Sequence, residues 1–432
     1  LEAKMIKRPF FAITKPKLRC SRIPALPKET VAEIPLPKEA IFVVKGPFPR
    51  AGEAMIRIGD GVRTGQKVRL AADRSDYFIS SVTGTISTVS ERIGYLGRAC
   101  LAVSVSVAEK DQLDEEFGRV AKDVSLQNVT RYLVSLPGSP DFGSLLTSTP
   151  PLETLVVLGT DGDLLVTKNQ FVVATQAEAL TRGVEMLRRI SGVPKIVLLV
   201  PDCLKAEAEK AGADVKAIDP LYPNTLPRMI MKNLFGKPVP VGKRCEDLGI
   251  GFVSAEAVVA LQKAFSEARV PLHKLVTVIR KDGSTVQAKA RIGTPVKEVL
   301  KALHIETSQG DRVVLGGPMA GRALLSEEEP IEASTDALLV QDKSEIVPSS
   351  DSHCVNCGEC VRVCPAKVPV NMLIRYLENG RYEEAAQDFD LLSCIECGLC
   401  TYTCIVRIPI SQYIMLGKQE IARIRSAEEA NA

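Results

Sequence analysis

CVNCGECVRVCP at 354–365 and CIECGLCTYTCI at 394–405 are two copies of one spacing. In the first, Cys354, Cys357 and Cys360 stand three apart and Cys364 follows four residues on. In the second, Cys394, Cys397 and Cys400 are followed in the same way by Cys404. Eight of the chain's 12 cysteines therefore fall in this one segment, while Cys20, Cys100, Cys203 and Cys245 are scattered over the rest. A secreted disulfide framework spreads its cysteines through a short chain. Concentration in one segment of a 432-residue chain is the pattern of a metal site in a reducing compartment.

The triple-plus-one spacing is the bacterial ferredoxin run, in which three close cysteines bind one [4Fe–4S] cube and the fourth reaches the other. Thiolates suit soft iron, and small residues between them let backbone N–H groups approach the sulfurs. The expected sets are Cys354, Cys357, Cys360 and Cys404 for one cluster, and Cys394, Cys397, Cys400 and Cys364 for the other. Two zinc ions would need only paired couplets, and the run repeated twice would have no reason. Between the motifs lies NMLIRYLENGRYEEAAQDF (371–389), two helical stretches broken at Asn379-Gly380. The expectation is an α-helical di-cluster ferredoxin domain over 341–432.

Working outward, the rest reads as a multidomain α/β chain. Residues 1–39 are an extended lead-in, Pro-rich over 24–38. Segments 55–68 and 79–89 alternate between short strands and glycine turns, giving a barrel-sandwich-like β module over 40–108. The turn that carries a lysine in swinging-arm carriers is here Val82-Thr83-Gly84, so no such arm is expected. The runs LETLVVLG (152–159), PKIVLLVP (194–201) and DVKAIDP (214–220) alternate with amphipathic helical stretches. That alternation means βαβ units, a Rossmann-like α/β domain over 109–255. Two strands joined by Lys281-Asp282-Gly283, then a helix and RVVLGGPMAG (312–321), read as a β-grasp module over 256–340.

Composition excludes several function classes. Lys+Arg 55 against Asp+Glu 52 gives a net +3, and Trp is absent, so neither a basic footprint nor a base-stacking platform for nucleic acid exists. No run of eighteen apolar residues is present, and Leu1–Phe11 lacks a signal-peptide core. The expected place is the cytoplasm, where the chain can still dock on a membrane complex. No hydrolytic triad, P-loop or metalloprotease helix is found. His273, His304 and His353 are isolated, and His353 reads as a solvated neighbour of Cys354 rather than a ligand.

The double motif, its helical connector and the tail IPISQYIMLGKQEIARIR (408–425) resemble the C subunit of the Rnf-type electron transport complex. The resemblance extends upstream, in the same order, to IPLPKEAIFV (34–43), IGDGVRTGQ (58–66) and LGGPMAG (315–321). It implies a place among the other subunits of a membrane-docked complex. It also implies kinship to the flavin subunit of respiratory complex I, in which FMN takes hydride from NADH and two clusters receive electrons.

This chain departs from that family where the flavin would sit. The family's glycine-rich loop is replaced by PGSPDFGSLLTSTPP (137–151), which has lost the glycines that let backbone amides converge on a phosphate. The family's next segment, Asn-Gly-Ala-Glu-Cys-Glu-Pro, is replaced by Leu158-Gly159-Thr160-Asp161-Gly162-Asp163-Leu164. Asp161 and Asp163 fall on its two glutamate positions and are the candidates if a flavin or NADH site persists; the favoured reading is polar residues at a strand end. The expected function is a two-cluster electron relay without its own NADH:FMN site. Beside it stand a soluble NADH-oxidising reductase or adaptor, of the cobalamin-reductase or methylenetetrahydrofolate-reductase-associated type, and a non-redox scaffold.

Overall fold

A computed structural model describes residues 15–23, 31–46, 55–71, 77–133, 136–138, 142–143, 148 and 150–431. Of the segments singled out above, 1–14 and 24–30 of the lead-in and 139–141, 144–147 and 149 of the glycine-poor loop lie outside these residues. The chain is a mixed α/β protein whose contacts divide it into two units. Among the described residues, the larger holds those of 20–237 and 245–345; the other holds 346–431 together with 238–244 and 15–19.

Within the larger unit, period-2 alternation builds an antiparallel sheet from Glu39–Lys45, Ala99–Val107, Gly84–Ile93 and Gly61–Val62. A separate hairpin pairs Lys67–Arg69 with Tyr77–Ile79. Between Tyr77–Ile79 and Gly84–Ile93 the chain turns at Ser80–Thr83, in keeping with the strand, turn, strand reading of 79–89. There the Ser80 hydroxyl donates to the Val82 carbonyl at 2.7 Å, a local bond that competes with the ladder. Gly84 restarts the strand because a Cβ there would run into the Ser106 carbonyl of the neighbouring strand.

The βαβ pattern folds as four parallel strands among the described residues, in the order 214–217, 195–200, 154–158, 250–254. The order reverses beside Thr154–Leu158, so a switch point lies between its carboxyl end and that of Ile250–Ser254. The helix Ala177–Ser191 buries Leu180, Val184 and Leu187, the three positions its periodicity marks. The helix Ala255–Glu267 follows the strand Ile250–Ser254 directly, with the Ser254 hydroxyl accepting from the Ala257 N–H at 3.2 Å. Its Ala257, Val258, Leu261 and Ala264 share one core with Leu155, Leu180, Val184 and Ile196, so this helix belongs to the α/β layer. Buried residues surround most of the helix, and Lys263, Ser266 and Glu267 in its last turns are exposed.

The next sheet runs in the order 32–33, 285–291, 273–279, 337–341, 312–315, 322–323, with the helix Val296–Ala302 covering it through Val296, Val299 and Leu300. The hairpin expected at Lys281-Asp282-Gly283 is present, with Gly283 at φ +77°. Ala32–Glu33, from the lead-in, pairs in parallel with Ala288–Lys289 as an edge strand.

In the C-terminal unit the repeat extends well beyond the cysteines. Gly358 and Gly398 cap the helices Glu359–Val363 and Leu399–Thr403 in the left-handed region. Asn356 and Glu396 are left-handed too, as are Lys367 and Arg407. Residues other than glycine adopt this conformation at a cost of about 1–2 kcal/mol each. That two pairs do so at matched positions, 40 residues apart, marks a geometry imposed by the site between them. The long helices Val370–Glu378 and Ile410–Asn431 also start at matched positions and cross where Gly417 meets Leu377, themselves a matched pair. A Cβ on Gly417 would stand 2.5 Å from Leu377 Cδ2 and 3.3 Å from Leu391 Cδ2.

Gly417→Leu should therefore overpack this crossing and lower the denaturant midpoint of the unit, by about 1–3 kcal/mol in stability. Gly417→Ala should stay within about 1 kcal/mol of the parent, since Leu377 can turn aside and alanine favours the helix. Equilibrium unfolding followed by cluster absorbance and circular dichroism checks both. Equal midpoints for the leucine variant and the parent would contradict the crossing.

Candidate metal centre

The two rows of thiols do not close on themselves. The loop and helix of each row place three cysteines round one cavity, and the turn that ends the helix sends the fourth toward the other. Cys394, Cys397 and Cys400 line one cavity together with Cys364, closed by Val368 and Ile414. On the other side, Cys360 lies among Cys354, Cys357 and Cys404. The helices Glu359–Val363 and Leu399–Thr403 pack against each other, which brings the sets close enough for Cys400 to feel Cys360.

Burial pushes the Cys360 and Cys397 thiols up to about 12, reinforced by the neighbouring cysteines of their own sets, Cys354 for the one and Cys394 for the other. Cys394 and Cys400 are raised for the same first reason, loss of solvent. Such thiols stay protonated unless a cation offsets the charge of several thiolates gathered in one apolar place. Loading must then release protons and weaken as pH falls. Some stabilisation of the sulfurs is already built in: the Asn356 N–H points at Cys354 Sγ at 3.4 Å and the Glu396 N–H at Cys394 Sγ at 3.3 Å. Both come from the left-handed residues noted above, which gives that conformation its chemical use.

Among the described residues, no three His, Cys, Asp or Glu side chains converge closely enough to hold one metal ion. The thiols instead stand around a cavity, an arrangement suited to a polynuclear group with a thiolate at each corner rather than to one tetrahedral ion. Donor type, number and pairing all fit [4Fe–4S]. None of the 12 cysteines is joined in a disulfide; Cys20 and Cys245 are buried, Cys203 is exposed, and His353 is exposed beside Cys354.

Asp161 and Asp163 lie at the switch point, after the strand Thr154–Leu158, and both are buried. Their carboxylates are already engaged. Asp161 accepts from the backbone N–H and side-chain amide of Asn169 at 3.0 and 3.1 Å. Asp163 accepts from the backbone N–H groups of Leu164, Met319 and Ala320 at 2.6, 3.0 and 2.8 Å. Asp163 thereby ties down the Gly316-Gly317-Pro318 turn, with Gly317 so near that any Cβ would overlap the carboxyl group.

No motif in the chain signals what fills the rest of this crevice. Glu256, in the first turn of Ala255–Glu267, takes Lys168 Nζ at 2.8 Å, and Lys274 Nζ donates to the same oxygen. The Leu275 N–H donates to its other oxygen at 3.0 Å. Asp336, about half exposed, lies 3.0 Å from Lys168 and 3.4 Å from Lys274. At this helix N-terminus the Glu256 N–H donates to Asn169 Oδ1 at 3.3 Å and the Ala257 N–H to Ser254 Oγ at 3.2 Å, so amides that would favour a ligand's anion are already engaged. These residues do not fit a flavin phosphate.

A family model described as a 4Fe-4S dicluster domain matches residues 347–405. Curated relatives over most of the chain are named as the C subunit of an ion-translocating oxidoreductase complex. That of Pectobacterium carotovorum subsp. carotovorum (strain PC1) is 26% identical across 96% of this chain and 57% of its own length. That of Serratia proteamaculans (strain 568) is 28% identical across 90% of this chain and 58% of its own length. The chain thus spans less than two thirds of these relatives. Among solved structures, an NAD+-reducing [NiFe]-hydrogenase chain in the H2-reduced state aligns with a TM-score of 0.46 at 15% identity, over 73% of this chain and 68% of its own.

Proposed function

We propose that this chain is an iron–sulfur electron-transfer subunit of an Rnf-type, membrane-docked oxidoreductase complex. Cys354, Cys357, Cys360 and Cys404 would hold one [4Fe–4S] cluster, and Cys394, Cys397, Cys400 and Cys364 the other. The observation that carries the reading is the crossed pairing of thiol sets inside a two-fold helical unit. When bound, the two cubes supply adjacent one-electron carriers. The chain's own residues do the rest. Thiols bind, left-handed Asn356 and Glu396 aim amides at sulfur, and Val368, Ile408 and Ile414 keep water out.

In this reading the larger unit comprises barrel-sandwich-like, Rossmann-like and β-grasp modules and serves as the docking body toward the other subunits. No described helix is long and apolar enough to cross a membrane. The proposed location is peripheral, on the cytoplasmic face, with attachment through partner subunits, which also supply the two-electron donor or acceptor.

The engaged carboxylates of Asp161 and Asp163 and the Glu256–lysine group support a chain without its own NADH:FMN site. The test is anaerobic purification, addition of excess FMN, gel filtration, and an assay of NADH-dependent dye reduction. The expected result is no retained flavin and no NADH oxidation above a protein-free control, a rate ratio near one. Stoichiometric flavin with NADH oxidation would overturn this and favour the soluble NADH-oxidising adaptor. Clusters that cannot be reversibly reduced would favour the scaffold.

A further inference from the structure

The two halves of the cluster-binding unit match in backbone but differ in charge at one place. Lys418, one position past the Gly417 crossing, donates from Nζ to the Cys394 carbonyl at 2.7 Å and to Glu396 Oε1 at 2.6 Å. Its side chain is only 20% exposed, against 45% for Glu396. After burial, Lys418 is the strongest electrostatic influence on the Cys394 sulfur, and it favours the thiolate. Forty residues earlier the matched positions carry Asn356 and Glu378. Asn356 is neutral, bonded to Asn371 at 2.9 Å, and Glu378 is exposed. The first set of thiols thus has no cation at the position where the second set has one.

We infer that Lys418 and Glu396 form an opposed pair of fixed charges that sets the reduction potential of the second cluster relative to the first. The inference rests on the two-cluster reading. Reduction adds one negative charge to a cluster already bound by four thiolates. A lysine held against the backbone of one ligand stabilises that added charge by Coulomb attraction in a low-dielectric setting. Glu396 acts with the opposite sign from a more solvated position, and so removes part of the effect. Cluster potentials respond to net charge and hydrogen bonding around the sulfurs, which this pair changes at one site and not the other. Lys418 is a positioning and tuning residue; it does not touch the cluster's ligand sulfur as a donor atom.

The two charges predict opposite responses, which a merely structural role does not. In the full chain, anaerobically loaded, an EPR-monitored redox titration should give two one-electron midpoints. Lys418→Met should make reduction of one cluster roughly threefold to tenfold less favourable, tenfold being about 59 mV for one electron. Glu396→Gln should move the same midpoint the other way by a smaller factor, and Lys418→Arg should keep the parent value. The other midpoint should stay fixed in all three. Unchanged midpoints, shifts of the same sign in Lys418→Met and Glu396→Gln, or equal shifts of both clusters would overturn the inference. If Lys418→Met does not load, the upward shift in Glu396→Gln decides alone. A parent chain that binds fewer than about five irons under these conditions fails at the earlier step, the two-cluster reading itself.

Discussion

Replacing Cys364 with serine should cost the chain the cluster bound by the second cysteine row, although Cys364 belongs to the first. The parent should bind ~8 irons and as many sulfides, and Cys364→Ser about half of each. The reason is geometric. Cys364 ends the helix Glu359–Val363, and its thiol lines the same cavity as Cys394, Cys397 and Cys400. That cavity has no other cysteine among its lining residues. Cys360, one turn earlier on the same helix, faces Cys354, Cys357 and Cys404. One short helix therefore serves both sites, and a hydroxyl, harder and far less acidic than a thiol, is a poor substitute for soft iron. Iron and sulfide analysis gives the count, and EPR of the reduced protein gives the identity. The signal lost in Cys364→Ser should be the one lost in Cys397→Ser and retained in Cys357→Ser. If Cys364→Ser and Cys357→Ser lose the same signal, each row binds its own cluster and the crossed assignment fails.

The dicluster motif is legible in the sequence because its spacing is a local matter. Three residues per step bring successive thiols round one turn of chain, and a fourth residue before the last sends it elsewhere; no distant contact is needed to read this. The strands Thr154–Leu158 and Lys195–Val200 are legible for a similar reason, since a run of apolar residues between turn signals can only be buried. What escapes a sequence reading is set by contacts between distant residues. Lys418 stands 22 residues from Glu396, and its role follows only from the helix crossing at Gly417. Glu256 and Lys274 look like ordinary polar positions, because a charged residue in a single sequence reads as surface until its partner is known.

Glu256→Ala should be the most destabilising single substitution in the larger unit outside its apolar core. Lys168 and Lys274 have side chains 1% and 0% exposed, and Glu256 is shared between them. Removing it leaves two buried cations with the half-exposed Asp336 and, for Lys168, the carboxylate of Asp161 to face them. Breaking a buried pair in this way costs about 3–5 kcal/mol, because the remaining charge is uncompensated. Replacing all the partners by apolar residues would cost less, so the effect measures stranded charge rather than the worth of the bridge. The pH dependence has a definite sign. Burial alone would raise the Glu256 carboxyl, but Lys168 and then Lys274 hold it below its ordinary value, and Asp336 is lowered by the same two cations. A carboxyl whose folded value is depressed contributes stability above its unfolded value, near pH 4.3 for glutamate, and loses it as pH falls through the folded value. The parent should therefore lose stability more steeply than Glu256→Gln as pH is lowered from about 5 toward 3. Urea midpoints measured across that range decide the matter. Parallel pH profiles for parent and Glu256→Gln, or a loss under about 1 kcal/mol in Glu256→Ala at pH 7, would mean that Asp336 and solvent already neutralise both lysines.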